Sequence, residues 1–135
     1  MLRGLIDDFG EAYGHLNIET SICEKAQARV RMNDTLASVL FSNLLKNAYL
    51  HNYQDGKVEI IVGADHIIVK NTAADGALNP DYIFRRFYQG HRKEGSAGLG
   101  LSLAESICRF YDMGLVYRYE NEMHIFEIRF AVDKT

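Results

Sequence analysis

Asn43 and Asn47 stand four residues apart in residues 35–51, TLASVLFSNLLKNAYLH, and a helix there sets their amides one above the other. They share that arc with Leu36, Val39, Leu40 and Leu50, whereas Ser42, Lys46 and Tyr49 take another. Amides on the inward side of an apolar helix cost about 1–3 kcal/mol each unless satisfied, so this helix needs a polar partner. A second chemical feature is the run GSAGLGLSL from Gly95 to Leu103, in which Gly98 and Gly100 mark the passage from loop to helix. Glycine admits close backbone approach, and free N–H groups and the positive end of a helix dipole converge at such a place. It suits a phosphate. A tight turn with no ligand uses the same residues.

The elements that must hold these groups follow from spacing. Asn33 and Asp34 are helix-opening residue types, and residues 35–51 contain neither Gly nor Pro. Ahead of them, Leu2, Leu5, Ile6, Phe9 and Tyr13 recur at helical spacing as far as Gly14. Residues 17–23 and 28–32 carry β-branched residues and some alternation around a turn at Glu24 and Lys25, which predicts a strand pair. Behind the helix, a turn-rich break at 52–56 leads into a hairpin of 57–62 and 66–70, joined by Gly63, Ala64 and Asp65. Pro80 starts a short helix through 81–88, and 89–98 is a glycine-rich loop. Residues 99–113 form a second long helix, 115–119 a strand, 120–122 a turn and 123–132 a last strand. In that strand Phe126, Ile128 and Phe130 alternate with Glu127 and Arg129, so one sheet face is covered and the other partly wet. The order predicts an α/β (α+β) two-layer sandwich, helices packed on one face of a mixed sheet.

Composition narrows the function. With 135 residues, 47% hydrophobic and 24% charged, residues 1–135 make a single soluble domain with a real core. A net charge of −3 and the lack of a dense basic run exclude a nucleic-acid binder. Cys23 and Cys108 have neither CxxC nor zinc spacing, and they read as free thiols of a reducing, cytoplasmic compartment. No window reaches eighteen apolar residues, and Asp7 and Asp8 occupy the place where a signal peptide is apolar. This domain is expected to make no membrane contact, any anchor lying in sequence beyond it.

Four segments then occur in a telling order: NLLKNA at 43–48, NTAADG at 71–76 behind an apolar strand, IFRRFYQG at 83–90 and GLGLSLAESIC at 98–108. They resemble the N, G1, F and G2 boxes of the GHKL superfamily. More narrowly, the chain is similar over about residues 28–130 to the catalytic, ATP-binding domain of bacterial sensor histidine kinases. The resemblance implies a Bergerat-type sheet, mixed and mostly antiparallel, with ATP and Mg²⁺ as ligands and a histidine as phosphoryl acceptor. It makes Asn47 the metal ligand, an oxygen donor of the kind Mg²⁺ takes alongside several waters. Asn43 supports the same edge of the pocket, and His51 falls near the phosphates. Asn71 and Thr72 border the base, Phe84, Phe87 and Tyr88 anchor a lid at 89–97, and Gly98, Leu99, Gly100 and Leu101 surround the phosphates. Arg92 and Lys93, in that lid, face the γ-phosphate or a partner domain. Residues 1–14 become the connection from an upstream dimerisation stem.

The departures from the family pattern are chemical. Relatives carry aspartate, closely followed by glycines, where this chain has Asn71; an amide oxygen accepts the same bond from adenine without the charge. Asp75 is the alternative carboxylate. Leu50 stands where relatives often carry lysine. In the hydrolysing members and the anti-sigma-factor kinases a glutamate general base occupies the place of Asn43, and an amide takes no proton at neutral pH. That favours transfer to an imidazole, which brings its own lone pair. None of His15, His51, His66, His91 and His124 is followed by an acidic residue, so the acceptor is expected elsewhere, on a dimerisation and histidine-phosphotransfer domain, with a response regulator beyond it. The alternative is a GHKL-fold regulatory or docking module whose altered G1 box holds no nucleotide.

Overall fold

Helix α2 (Asp34–Leu50) forms the middle of the molecule. The Asn33 side chain caps it, accepting the Leu36 N–H at 3.1 Å, and Asp34 adds a negative charge at the positive end of the dipole. The computed structural model describes residues 1–74, 76–85 and 100–131.

The helix is covered on two sides. Leu40, Leu44, Leu45 and Ala48 pack into the core toward the sheet. Tyr49, expected on the other arc with Ser42 and Lys46, is only 1% exposed. The reason is helix α1 (Leu2–Ala12), which lies on that side and stacks Phe9 and Tyr13 on the Tyr49 ring at 6.1 and 5.8 Å between centroids. The Tyr49 hydroxyl is bonded to Thr20 Oγ1 at 2.6 Å. Burial pushes the phenol up from its ordinary pKa, with the Thr20 bond pulling the other way. α1 is thus packed onto the domain along Leu2, Leu5, Ile6, Phe9 and Tyr13.

Among the described residues five strands make one sheet: β1 (Glu19–Glu24), β2 (Lys57–Val62), β3 (His66–Thr72), β4 (Gly114–Glu120) and β5 (Met123–Arg129), in the order β1-β2-β3-β5-β4. The 57–62 and 66–70 hairpin is as expected. The pairing expected between 17–23 and 28–32 is not. β1 pairs instead with β2, in parallel, from Glu19 opposite Lys57 to Glu24 opposite Val62, with α2 as the crossover. Residues 28, 30 and 32 do alternate, half-buried against exposed 27, 29 and 31, but they lie extended over the core without a ladder. Every other pairing is antiparallel, which gives the mixed, mostly antiparallel sheet.

α2 and α3 (Gly100–Phe110) cover the inner face, built from Val58, Ile60, Val69, Phe126 and Ile128. The outer face carries charge pairs, Lys70 with Glu59 at 3.7 Å and Arg118 with Glu127 at 2.8 Å, as a wet surface should. α3 stops at Phe110, short of the expected 113. Asp112 takes a left-handed conformation (φ 57°), its N–H bonds the Arg109 carbonyl, and the Met113 N–H reaches back to the Cys108 carbonyl at 2.8 Å. Those two bonds are a Schellman closure. After Pro80 the chain turns through residue 84, with the Ile83 N–H on the Asn79 carbonyl, and residues 86–88 of the expected helix lie outside the described residues.

Candidate functional site

Asn43 and Asn47 project from the second half of α2, and Asn71 from the inner face of β3, on which α2 packs. Asn43 is partly buried. Its Nδ2 donates to the Val39 carbonyl one turn back at 2.9 Å, which turns its oxygen toward the first residue of α3. Gly100 is that residue, and a Cβ on it would stand 2.9 Å from Asn43 Oδ1. Two segments singled out separately in the sequence therefore meet. A larger residue there must push the Asn43 amide aside, whatever the backbone there binds.

Asn47 and Asn71 are the unsatisfied members. Asn47 is 9% exposed, and its Nδ2 is buried with no hydrogen-bond partner among the described residues. Asn71 is fully buried; its Nδ2 donates to the Thr72 carbonyl at 3.0 Å, while its Oδ1 has no partner among the described residues. Atoms of this kind ordinarily find partners in a folded protein, and leaving one without costs about 1–3 kcal/mol. The bond to Thr72 has a further effect. It fixes which end of the amide is tied down, so the end left over is an acceptor.

His51 closes α2 and is 8% exposed. Its carbonyl accepts the Ala74 N–H at 3.1 Å, which brings the end of α2 against the segment leaving β3. Thr72 sits differently from Asn71. Its hydroxyl is bonded to Asn52 Oδ1 and accepts the Lys57 N–H at 2.9 Å, while Asn52 Nδ2 donates to the Ala48 and Lys57 carbonyls. This knot joins α2, β2 and β3, and it commits the Thr72 hydroxyl to the fold. Phe84 is half-buried and meets the Phe126 ring edge-on at 6.3 Å. Leu101 packs on the core from α3. Asp75, Phe87, Tyr88, Arg92, Lys93, Gly98 and Leu99 lie outside the described residues.

The sequence reading missed buried Asn52 in the knot, and buried His124 with its half-buried partner Tyr117. His124 is fully buried on β5, its Nδ1 2.8 Å from the Tyr117 hydroxyl of β4. Alternation with Phe126 and Ile128 was the signal that places His124 on the inner face.

Residues 32–134 match the family model described as histidine kinase-, DNA gyrase B- and HSP90-like ATPase. The chain belongs to this family. It is a GHKL-type ATPase domain homologous to the catalytic domains of sensor histidine kinases. It is 27% identical over 122 residues to the sensor histidine kinase HprS of Escherichia coli K12, covering 84% of this chain and 27% of that protein. With the heme sensor protein HssS of Staphylococcus epidermidis it shares 32% identity over 85 residues, 60% of this chain and 19% of the relative. The chain thus spans about a quarter or less of the curated relatives it matches. In fold it superposes on the catalytic domain of the histidine kinase ThkA with a TM-score of 0.84 at 19% identity, covering 97% of this chain and 90% of that one. The mycobacterial sensor histidine kinase MprB gives 0.82 at 15% identity, covering 94% and 90%.

A GHKL fold implies a capacity to bind ATP with Mg²⁺, and the two unsatisfied amides fit those ligands. Asn71 presents an acceptor, as the amino group of adenine requires. Asn47 presents its nitrogen, and a half-turn of the amide exchanges that end for the oxygen that a hard cation takes.

Proposed function

We propose that this domain holds Mg·ATP between α2, the end of β3 and the start of α3, and delivers the γ-phosphoryl to a histidine on another domain. The observation that carries this reading is the pair of buried amide atoms without partners among the described residues, Asn47 Nδ2 and Asn71 Oδ1, each in a segment that resembles one of the family's nucleotide boxes. Asn71 Oδ1 accepts from the adenine amino group. Asn47, with its oxygen turned inward, holds the cation, and Asn43 and Gly100 set the distance between the two helices flanking the phosphates. A Mg²⁺ ion held by Asn47 would supply neutralisation of the phosphate charge. Gly98, Leu99 and Leu101 line the phosphates in this reading, with His51 near them, Tyr88 and Phe84 anchoring the lid and Arg92 reaching toward the γ-phosphate.

Phosphoryl transfer of this kind rests on positioning and charge neutralisation more than on covalent chemistry by the protein. An amide at Asn43 supplies no general base for water. Isolated, the domain turns over little ATP. Its partner is a dimerisation and histidine-phosphotransfer domain, and through it a response regulator, on the cytoplasmic side. No described helix is long and apolar enough to cross a membrane.

Calorimetric titration with β,γ-imido-ATP, with and without Mg²⁺, tests the reading. Saturable Mg-dependent binding that disappears in Asn47→Ala supports it. Absence of binding at millimolar nucleotide overturns it in favour of a regulatory module without nucleotide.

A further inference from the structure

Backbone bonds hold the segment that leaves β3 behind Asn71. The Ala73 N–H donates to the Glu122 carbonyl at 3.1 Å, the Ala74 N–H to the His51 carbonyl at 3.1 Å, and the Leu78 N–H to the Tyr117 hydroxyl oxygen at 2.9 Å. The first two are bonds between main chains. The third hangs on one side chain, and that side chain is itself bonded to His124 Nδ1 at 2.8 Å.

His124 is the direct cross-strand partner of Asn71 on the β3–β5 ladder, and both are 0% exposed. Side chains on such a rung stand about 5 Å apart on the same face. An imidazole buried on the inner face, with the Tyr117 and Tyr119 ring centroids each 5.8 Å from its own, is expensive to bury unless its polar atoms are used, so ring packing alone does not explain a histidine there. The hydroxyl chemistry is directional. Tyr117 accepts from Leu78 and has one proton of its own to place, and Nδ1 is an acceptor within reach of it. With the ring in the tautomer whose Nδ1 accepts, Tyr117 donates to His124 and turns a lone pair toward the Leu78 N–H.

We infer that His124 is a positioning residue for base recognition: through Tyr117 it fixes the Leu78 amide, and on the shared rung it fixes the strand position from which Asn71 faces the base. The inference rests on the nucleotide reading above and deepens it. Selectivity between adenine and guanine needs the acceptor end of the Asn71 amide held in place, because guanine presents an oxygen where adenine presents its amino group. A loop that shifts, or a rung that relaxes, lets the amide turn and serve either base.

Three variants and two readouts test this. Tyr117→Phe removes one oxygen and keeps the ring, which packs on Phe126 at 5.1 Å; His124→Leu removes the bonded nitrogen; His124→Gln restores a polar side chain. The first readout is hydrogen exchange at the Leu78 amide of the nucleotide-free protein, expected to speed up roughly three- to tenfold in Tyr117→Phe and in His124→Leu, the loss of about one hydrogen bond. The second is the affinity ratio of β,γ-imido-ATP to β,γ-imido-GTP with Mg²⁺, expected to fall by a similar factor in both and to recover in His124→Gln. The double variant falls no further than Tyr117→Phe, since the two residues act through one chain. Faster exchange with an unchanged ratio overturns the inference and leaves a purely structural pair. Unchanged exchange overturns it too. A parent protein that binds neither nucleotide overturns the reading of the site itself, and the base-recognition role falls with it. If His124→Leu does not fold, Tyr117→Phe decides.

Discussion

A methyl group on Gly100 would stand 2.9 Å from Oδ1 of Asn43, whose other amide end is tied to the Val39 carbonyl. The start of α3 and the middle of α2 fit together because that methyl is missing. Gly100→Ala is expected to cost about 1–3 kcal/mol by overpacking. Adding Asn43→Ala to the same chain removes the obstruction and returns most of that stability. Urea unfolding of the two single variants and the double one measures the coupling.

Asn47→Ala has the opposite balance. It deletes a buried donor that has no partner among the described residues, so the free domain is expected to keep its stability or gain up to about 1 kcal/mol, while Mg-dependent nucleotide binding is lost. Thermal melts and calorimetry on one preparation separate the two effects. A variant that binds like the parent removes Asn47 from the metal.

Asn71→Asp restores the aspartate of the family's G1 box, yet this chain is built for the amide. The Nδ2 donor to the Thr72 carbonyl would become an oxygen facing an oxygen, at a fully buried position. A loss of about 1–3 kcal/mol is expected at neutral pH. Such a carboxyl prefers its protonated form, so its folded pKa lies above the unfolded value of about 3.9. The deficit is accordingly absent below about pH 4 and grows as pH rises. Equal stability of parent and variant at pH 7 would show that the Thr72 bond does not orient the amide.

The two thiols are expected to differ sharply. Cys108 is 1% exposed on the inner side of α3, and burial, with the Glu105 charge in second place, pushes it up to about 11. Cys23 is exposed on β1. Iodoacetamide at pH 8 should alkylate Cys23 alone until the fold is opened with denaturant, and mass spectrometry counts the adducts.

Glu127 gives the outer sheet face its acid sensitivity. Its partial burial raises the carboxyl, but bonds from Arg118 and Arg129, and then their charges, outweigh that and hold it below its ordinary value. A depressed carboxyl stabilises the fold above its unfolded value of about 4.3 and loses that contribution as pH falls through the folded value. Glu127→Gln should therefore be less stable than the parent at pH 7, with the gap closing below pH ~4. Melting temperatures across that range show the convergence.

What was legible in the sequence was local. The cap at Asn33 and the uninterrupted period gave α2, and Gly63 to Asp65 between two apolar runs gave the β2–β3 hairpin. The parallel partner of β1 was not legible, because a strand pairing across a helix leaves no turn signal between the two strands; the alternation at Ala28, Val30 and Met32 offered a nearer and wrong partner. Tyr49 was misplaced because a single wheel has one inside, whereas α2 has two covered sides. For the site, spacing along one helix gave Asn43 and Asn47, and a resemblance gave Asn71. The Asn43–Gly100 contact and the His124–Tyr117–Leu78 chain join residues far apart in sequence, and only the folded sheet and helices put them together.

The parallel pairing of β1 also governs how this chain is made. Among the described residues β1 is an edge strand whose one ladder is with β2, and α2 lies between them in sequence, so that ladder cannot form until synthesis has passed Val62. Meanwhile α1 emerges with the ring that receives Phe9 and Tyr13 not yet translated. Folding cannot proceed in the order of translation. Until then α1 and β1 lack the groups they pack on and pair with, and they are the part of this domain that a nascent-chain chaperone has longest to grip.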